Sequence, residues 1–163
     1  MNDNRGMTLI EIIVVITVVG ILIAAISTDF LGWRSKYRVE SQMKEMYIDL
    51  MNARSRAMER NRMHFVDLSV ADRYTICEDS SPGPDGDGVL QTGVDRQVLQ
   101  KNFDQPITFT TGNTVTFNSN GLLATGAGVV RATTSYDADY DCVGLETTRI
   151  IMGQWNGTVC QAK

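Results

Sequence analysis

The sequence predicts an α+β fold: a long N-terminal helix, transmembrane in its first half, packed by its second half on an antiparallel β-sheet head. Three observations predict it. Met7 to Ile26 is a run of twenty residues whose only charge is Glu11. From Val39 to Ala57 apolar residues recur at steps of three and four with charges between them, and no proline interrupts residues 7 to 62. After Asn61 the texture changes to short alternating runs punctuated by Gly, Pro, Asn and Asp, the pattern of strands and turns.

The helix is expected from Thr8 to Asn61. Twenty helical residues cover ~30 Å, the thickness of a bilayer's hydrocarbon core. Residues 1–6 are then a leader, 7–28 the transmembrane half, 29–62 an amphipathic stem and 63–163 a β-rich head. Val39, Met43, Met46, Tyr47, Leu50, Ala53 and Ala57 form the stem's packing face. Any kink must come from Gly20 or Gly32. The methionines at 43, 46, 51, 58 and 63 read as packing groups rather than a binding stripe.

The head begins with two strands, 64–68 and 73–77, around Val70-Ala71-Asp72. Glu78 to Asp95 is a loop with two prolines, four glycines and five acids, followed by a short strand at 97–100. Ile107-Thr108-Phe109-Thr110 and Thr114-Val115-Thr116-Phe117 alternate around Gly112-Asn113, which predicts a hairpin. Asn118 to Gly121 is a turn and Gly128 to Thr134 a strand. Cys142 to Met152 and Thr158 to Cys160 are strands joined through Trp155-Asn156-Gly157, a second hairpin.

An acid inside an apolar helix is costly and marks a functional position with a partner to be found. Here it lies in Gly6-Met7-Thr8-Leu9-Ile10-Glu11, between the leader Met1-Asn2-Asp3-Asn4-Arg5 and the apolar run. This junction resembles the class III signal of type IV pilins and type II secretion pseudopilins. The resemblance implies cleavage after Gly6 by a dedicated prepilin peptidase and N-methylation of Met7. It also implies pairing of Glu11 with the terminal amine of a neighbouring subunit. A cation from the next helix would remove most of the cost of burying Glu11. Two other readings exist. An ordinary secretory signal would use Arg5 as n-region and Ala25-Ile26-Ser27 as cleavage site, but Glu11 and the length of the run argue against it. A plain anchor leaves Glu11 without a purpose.

Within that broad family the chain resembles the H-type pseudopilins and FimT-like minor pilins (GspH/FimT). Ala53-Arg54-Ser55-Arg56-Ala57, Val115 to Gly121, and Arg149-Ile150-Ile151-Met152-Gly153 carry this likeness. The implied architecture is pilin-like. The implied partners are other pseudopilins or pilins, the inner-membrane assembly platform and membrane lipid.

The net charge of −4 hides an asymmetry: residues 34–62 hold eight basic and four acidic side chains, residues 64–163 six basic and twelve acidic. A basic stem carries an acidic head. Arg34, Lys36 and Arg38 could meet anionic headgroups, although a solvated helix face is the simpler reading. They also run against the positive-inside rule, so it is the signal that places the head outside the cytoplasm. In such a head an odd cysteine count predicts one bridge. Cys142 and Cys160 open and close the last two-strand segment and are the expected pair. Cys77 is then a buried thiol in a strand.

Asp79, Asp85, Asp87 and Asp95 in the glycine-rich loop are the candidate calcium ligands, although no EF-hand register fits and a solvated acidic loop is the simpler reading. Asp137, Asp139 and Asp141 alternate but lack the turn glycine. No other cofactor is expected. Some FimT-like pilins bind DNA, which needs a basic patch. Arg149 to Lys163 hold only two cations, so nucleic acid is not an expected partner. His64 is the single histidine, and no catalytic constellation appears, so an enzyme is not expected. The resulting expectation is a minor pseudopilin of a type II secretion pseudopilus. A FimT-like minor pilin serving adhesion, motility or DNA uptake, and a secreted binding domain after ordinary signal cleavage, are the alternatives.

Overall fold

A computed structural model describes residues 7–83, 86–110 and 112–163, with only the backbone described for 25–31. The chain divides into two compact units, the second being Lys36–Lys163. Helix α1 runs Leu9–Arg60. It ends in a capped turn: Asn61 has φ 53°, and Arg62 N–H donates to Ala57 O at 3.2 Å. This is the left-handed C-cap that satisfies last-turn carbonyls, with asparagine in the role glycine usually fills.

Among the described residues ten strands make two antiparallel sheets. They are β1 (His64–Asp67), β2 (Arg73–Glu78), β3 (Arg96–Asn102), β4 (Ile107–Phe109), β5 (Thr114–Phe117), β6 (Leu123–Thr125), β7 (Gly128–Ala132), β8 (Cys142–Leu145), β9 (Ile150–Trp155) and β10 (Cys160–Ala162). One sheet has the order β3-β2-β1-β5-β6, the other β10-β9-β8-β7-β4. The stem stripe Val39, Met43, Met46, Leu50, Ala53 and Ala57 is fully buried. It shares one core with Val66, Ile76, Val115 and Phe117 of the first sheet and with Ile107, Val130, Val143 and Ile150 of the second. Steps of four and three keep these six residues on one helix face, so a single stripe serves both sheets. Tyr47 packs at its margin, only partly buried.

The α+β class, the long helix packed on antiparallel strands, and the hairpins β1–β2 and β9–β10 are as read from sequence. Three details differ. The single expected sheet is two sheets. The expected hairpin around Gly112-Asn113 does not form: β4 pairs with β7 (Ile107↔Ala132), whereas β5 pairs with β1 (Val66↔Val115) and so belongs to the other sheet. A local hairpin would have left the β1 and β7 edges open; long-range pairing closes both and still buries Ile107 and Val115 in the core. Cys142 to Met152 is two strands, β8 and β9, turned by Glu146 N–H donating to Arg149 O at 2.9 Å. The three-residue β6 had no sequence expectation. It pairs with β5 beside a bulge at Thr116/Phe117.

Candidate functional site

The N-terminal junction is built by the start of α1. Thr8 is its N-cap: Glu11 N–H donates to Thr8 O at 3.1 Å and to Thr8 Oγ1 at 3.3 Å, and Ile12 N–H reaches Thr8 O at 3.3 Å. The side chain of Thr8 thereby satisfies an amide left open at a helix start, and Glu11 stands at the third helical position. Thr-x-x-Glu ahead of an apolar run is the capping-box spacing. A carboxylate there faces the positive end of the helix dipole. Thr8 went unassigned at the level of sequence, although its spacing to Glu11 was the signal for it. Further along, Thr17 Oγ1 donates to Ile13 O at 2.8 Å, so this hydroxyl too is satisfied within the helix.

Every described side chain from Met7 to Ala24 is exposed in the isolated chain, Glu11 included. Gly6 lies outside the described residues, and Met7 is the first of them. Among the described residues no helix is long and apolar enough to cross a membrane. The expected span 7–28 runs past Ala24 into side chains outside the described set.

In the head, buried charge is organised around Glu78 at the end of β2, which is 2% exposed. Arg62 Nη1 lies 3.4 Å from Oε1, Arg60 Nε 3.7 Å from Oε2, and Arg96 bonds Oε2 directly. Burial pushes the Glu78 carboxyl up, but the Arg96 hydrogen bond and the charges of Arg96, Arg60 and His64 outweigh it and hold it below the ordinary glutamate value. His64 is fully buried, with Nδ1 3.3 Å from Arg62 O and Nε2 3.9 Å from Glu78 Oε2. Burial drives its pKa below the usual histidine value; the Arg62 carbonyl and Glu78 oppose this, and Arg56 and Arg60 add to it. A second network joins stem to sheet. Tyr74 Oη donates to Asp49 Oδ2 at 2.5 Å, and Lys101 Nζ lies 2.7 Å from Asp49 and 2.6 Å from Glu45. Neither network was foreseen, because each joins residues from separate elements.

The acidic loop is held by its own backbone. Asp79 is buried and accepts Asp87 N–H at 3.3 Å and Gly88 N–H at 2.8 Å. Asp95 accepts Ser80, Ser81 and Gln91 N–H at 3.1, 3.3 and 2.7 Å. Asp87 accepts Val89 N–H and Gln91 Nε2 at 3.0 and 2.8 Å. Asp85 lies outside the described residues. The second acidic trio is dispersed: Asp139 pairs with Lys36 at 3.3 Å and with Lys163, and buried Asp141 accepts Trp155 N–H at 2.6 Å. Among the described residues no three His, Cys, Asp or Glu side chains come together in a way that could hold a metal ion. Cys142 and Cys160 are bridged, with Cα atoms 5.8 Å apart. Cys77 is a free, buried thiol whose pKa burial, then Asp95 and Asp67, push up.

Residues 1–27 match the family described as Prokaryotic N-terminal methylation motif. No curated protein and no solved structure matches the chain. The motif is a type IV prepilin-like signal, and with a long helix packed on antiparallel sheets it supports a type IV pilin-like protein, a pilin or pseudopilin subunit. Such a motif implies processing by a prepilin peptidase and assembly with other pilins, and it points to a membrane-anchored chain.

Proposed function

We propose that this chain is a minor pseudopilin, a structural subunit of a type II secretion pseudopilus. It is inserted in the bacterial inner membrane by a single pass with its head in the periplasm, cleaved after Gly6 and N-methylated on Met7. The observation that carries the reading is the methylation motif over residues 1–27 with a lone acid in the first turn of an apolar helix. Thr8 caps that turn, so the carboxylate of Glu11 sits one turn from the mature amine. A neighbour's Met7 amine would neutralise it as the helices bundle, and the pairing contributes most where water is excluded. The work of the protein is mechanical: the apolar helix assembles and the head is carried with it.

The H-type assignment is supported by where its residues stand. Ala53 and Ala57 lie in the buried stem stripe, 1% and 0% exposed, where a larger side chain would push the sheets away. Gly121 has φ +71°, and an added Cβ would lie 2.7 Å from Met58 Sδ. Deleting the chain from its native host tests the role. The expected result is loss of export through the secretion channel with surface pili and pilus-driven motility intact. Loss of pili with export intact would transfer the protein to a type IV pilus.

A further inference from the structure

The face of β1–β2–β3 turned away from the stem bears a cleft of about 500 Å³, lined by strand and loop residues and by none of α1. Tyr74 and Ile76 of β2 point into the core, so Arg73, Thr75 and Cys77 alternate onto the cleft side. Register places polar groups in rows there. Asp67 faces Thr75, Thr75 faces Gln100, and Cys77 faces Gln97. Directly paired side chains stand ~5 Å apart and successive rows ~7 Å apart, close enough for one small ligand to bridge several of them. The roof is the loop segment Leu90 to Asp95, held in place by the three backbone amides that Asp95 accepts.

The cleft groups are uncommitted, in contrast to polar groups elsewhere in the head. Gln42 clasps the Gln105 backbone at 2.7 and 3.0 Å, and Gln154 donates to Ala138 O at 3.1 Å. The side chains of Gln97, Gln100 and Thr75 and the Arg73 guanidinium make no hydrogen bond or ion pair with any described residue. Asp67 uses only Oδ1, for Ser69 N–H at 2.9 Å. The free set is one guanidinium, one carboxylate oxygen, two amides and the hydroxyls of Ser69, Thr75 and Thr92. It offers donors and acceptors in similar number, and Arg73 offsets one of the two carboxylate charges, Asp67 and Asp95, that line the cleft. An anion would face Asp67 and Asp95, and a cation would face Arg73. A neutral ligand rich in hydroxyls, each donating and accepting, meets every group with a hydrogen bond and brings no like charge against either sign. The volume falls in the ~300–1,000 Å³ range of small-molecule sites, enough for one or two sugar rings.

We propose that this cleft binds a neutral saccharide, a reading that does not rest on the secretion role and holds for either kind of filament. Full-length protein in a detergent without a sugar headgroup is titrated with glucose, galactose, N-acetylglucosamine, maltose and cellobiose. Saturation-transfer NMR reports contact. The expected result is transfer to at least one of these with a dissociation constant of ~1 mM. Arg73→Gln and Gln100→Ala each weaken binding at least ~tenfold, Arg149→Ala in the β8–β9 turn leaves it unchanged, and all three variants melt like the parent. The proposal is overturned by no transfer from any of the five sugars. It is equally overturned by transfer that survives both cleft substitutions, or by binding of glycine or N-acetylated amino acids in place of sugars.

Discussion

Glu78 is a carboxylate in a costly place, tolerated through its partners, and the proposed function puts Glu11 in another. For Glu11 the proposed partner belongs to another subunit, so the two consequences of Glu11→Ala have opposite signs. The isolated helix gains, because an acid costs up to ~3 kcal/mol at the bilayer centre and alanine far less. The assembling helix loses a charge pair and leaves an amine unpaired in an apolar bundle. Fractionation should show equal or better membrane retention of the variant, and cross-linking should show impaired incorporation into filaments. Unimpaired incorporation would remove Glu11 from the assembly contact. For Glu78 the partners are internal. Glu78→Gln leaves Arg60, Arg62 and Arg96 facing one another and should cost about 2 kcal/mol by denaturant titration. That is less than the ~3–5 of a fully buried pair, because these arginines are 46%, 31% and 49% exposed. The pH dependence has a definite sign. His64 has a folded pKa below 6.5, so its neutral form is favoured by folding; the stability this contributes is complete above 6.5 and falls as pH drops toward the folded value. Glu78 has a folded pKa below 4.5, so its contribution is present above 4.5 and is lost as pH falls through the lowered value. Melting temperature should therefore fall in two stages on acidification. His64→Gln should flatten the first stage and leave the second.

At the scale of elements, the β8–β9–β10 corner depends on close approach and on a covalent tie. Gly153 lies opposite Ala162, and a Cβ added to it would stand 1.8 Å from Gln161 O. Because that neighbour is backbone, nothing flexible can give way. Gly153→Ala should separate β10 from β9 and cost at least ~2 kcal/mol. Its observable is faster amide exchange at Gln161 and Ala162 with β1–β2 unchanged. Protection equal to the parent would show that β10 pairs without the close approach. The Cys142–Cys160 bridge closes a separation of 18 residues and should contribute about 3 kcal/mol through loop-closure entropy. Reduction should lower the denaturant midpoint accordingly. Alkylation of the native, unreduced protein should leave all three cysteines unlabelled, and after unfolding Cys77 alone should react. Native labelling of Cys142 would contradict the bridge.

For the whole molecule, the proposal implies a mature protein that begins at Met7 with one N-methyl group. Intact mass and N-terminal sequencing of protein from membranes check it; a terminus near Thr28 would indicate ordinary signal cleavage and remove the basis for filament assembly. The described stem and both sheets share one core, so beginning the chain after Ala57, which removes the stripe from Val39 to Ala57, should unfold the head rather than merely detach it. Circular dichroism of the truncated chain is the test, with loss of cooperative melting the expected outcome. The helix, its buried stripe and the hairpins β1–β2 and β9–β10 were legible because each is a local pattern: a period of three to four, or alternation around a turn. The partition of β4 and β5 between two sheets was not legible, because two alternating strands beside Gly112-Asn113 satisfy a hairpin equally well until the edges of β1 and β7 compete for them.

The sequence by itself displayed the N-terminal junction: Gly6-Met7 and one acid, Glu11, ahead of an apolar run. This is possible because a peptidase signal and a helix start are read over a few consecutive residues. The choice of stem face was equally local, since residues 39 to 57 display it at one period. Tertiary structure alone decided the ring of arginines around Glu78, the Tyr74–Asp49–Lys101 tie, and the cleft floor of Thr75, Gln97 and Gln100. These groups lie on different strands and on the helix, and their meeting depends on register and sheet order. It also changed the meaning of the loop acids. In sequence, Asp79, Asp87 and Asp95 have the composition of a cation site; folded, their oxygens accept the loop's own amides, because a buried turn must satisfy its N–H groups and a carboxylate does so most strongly.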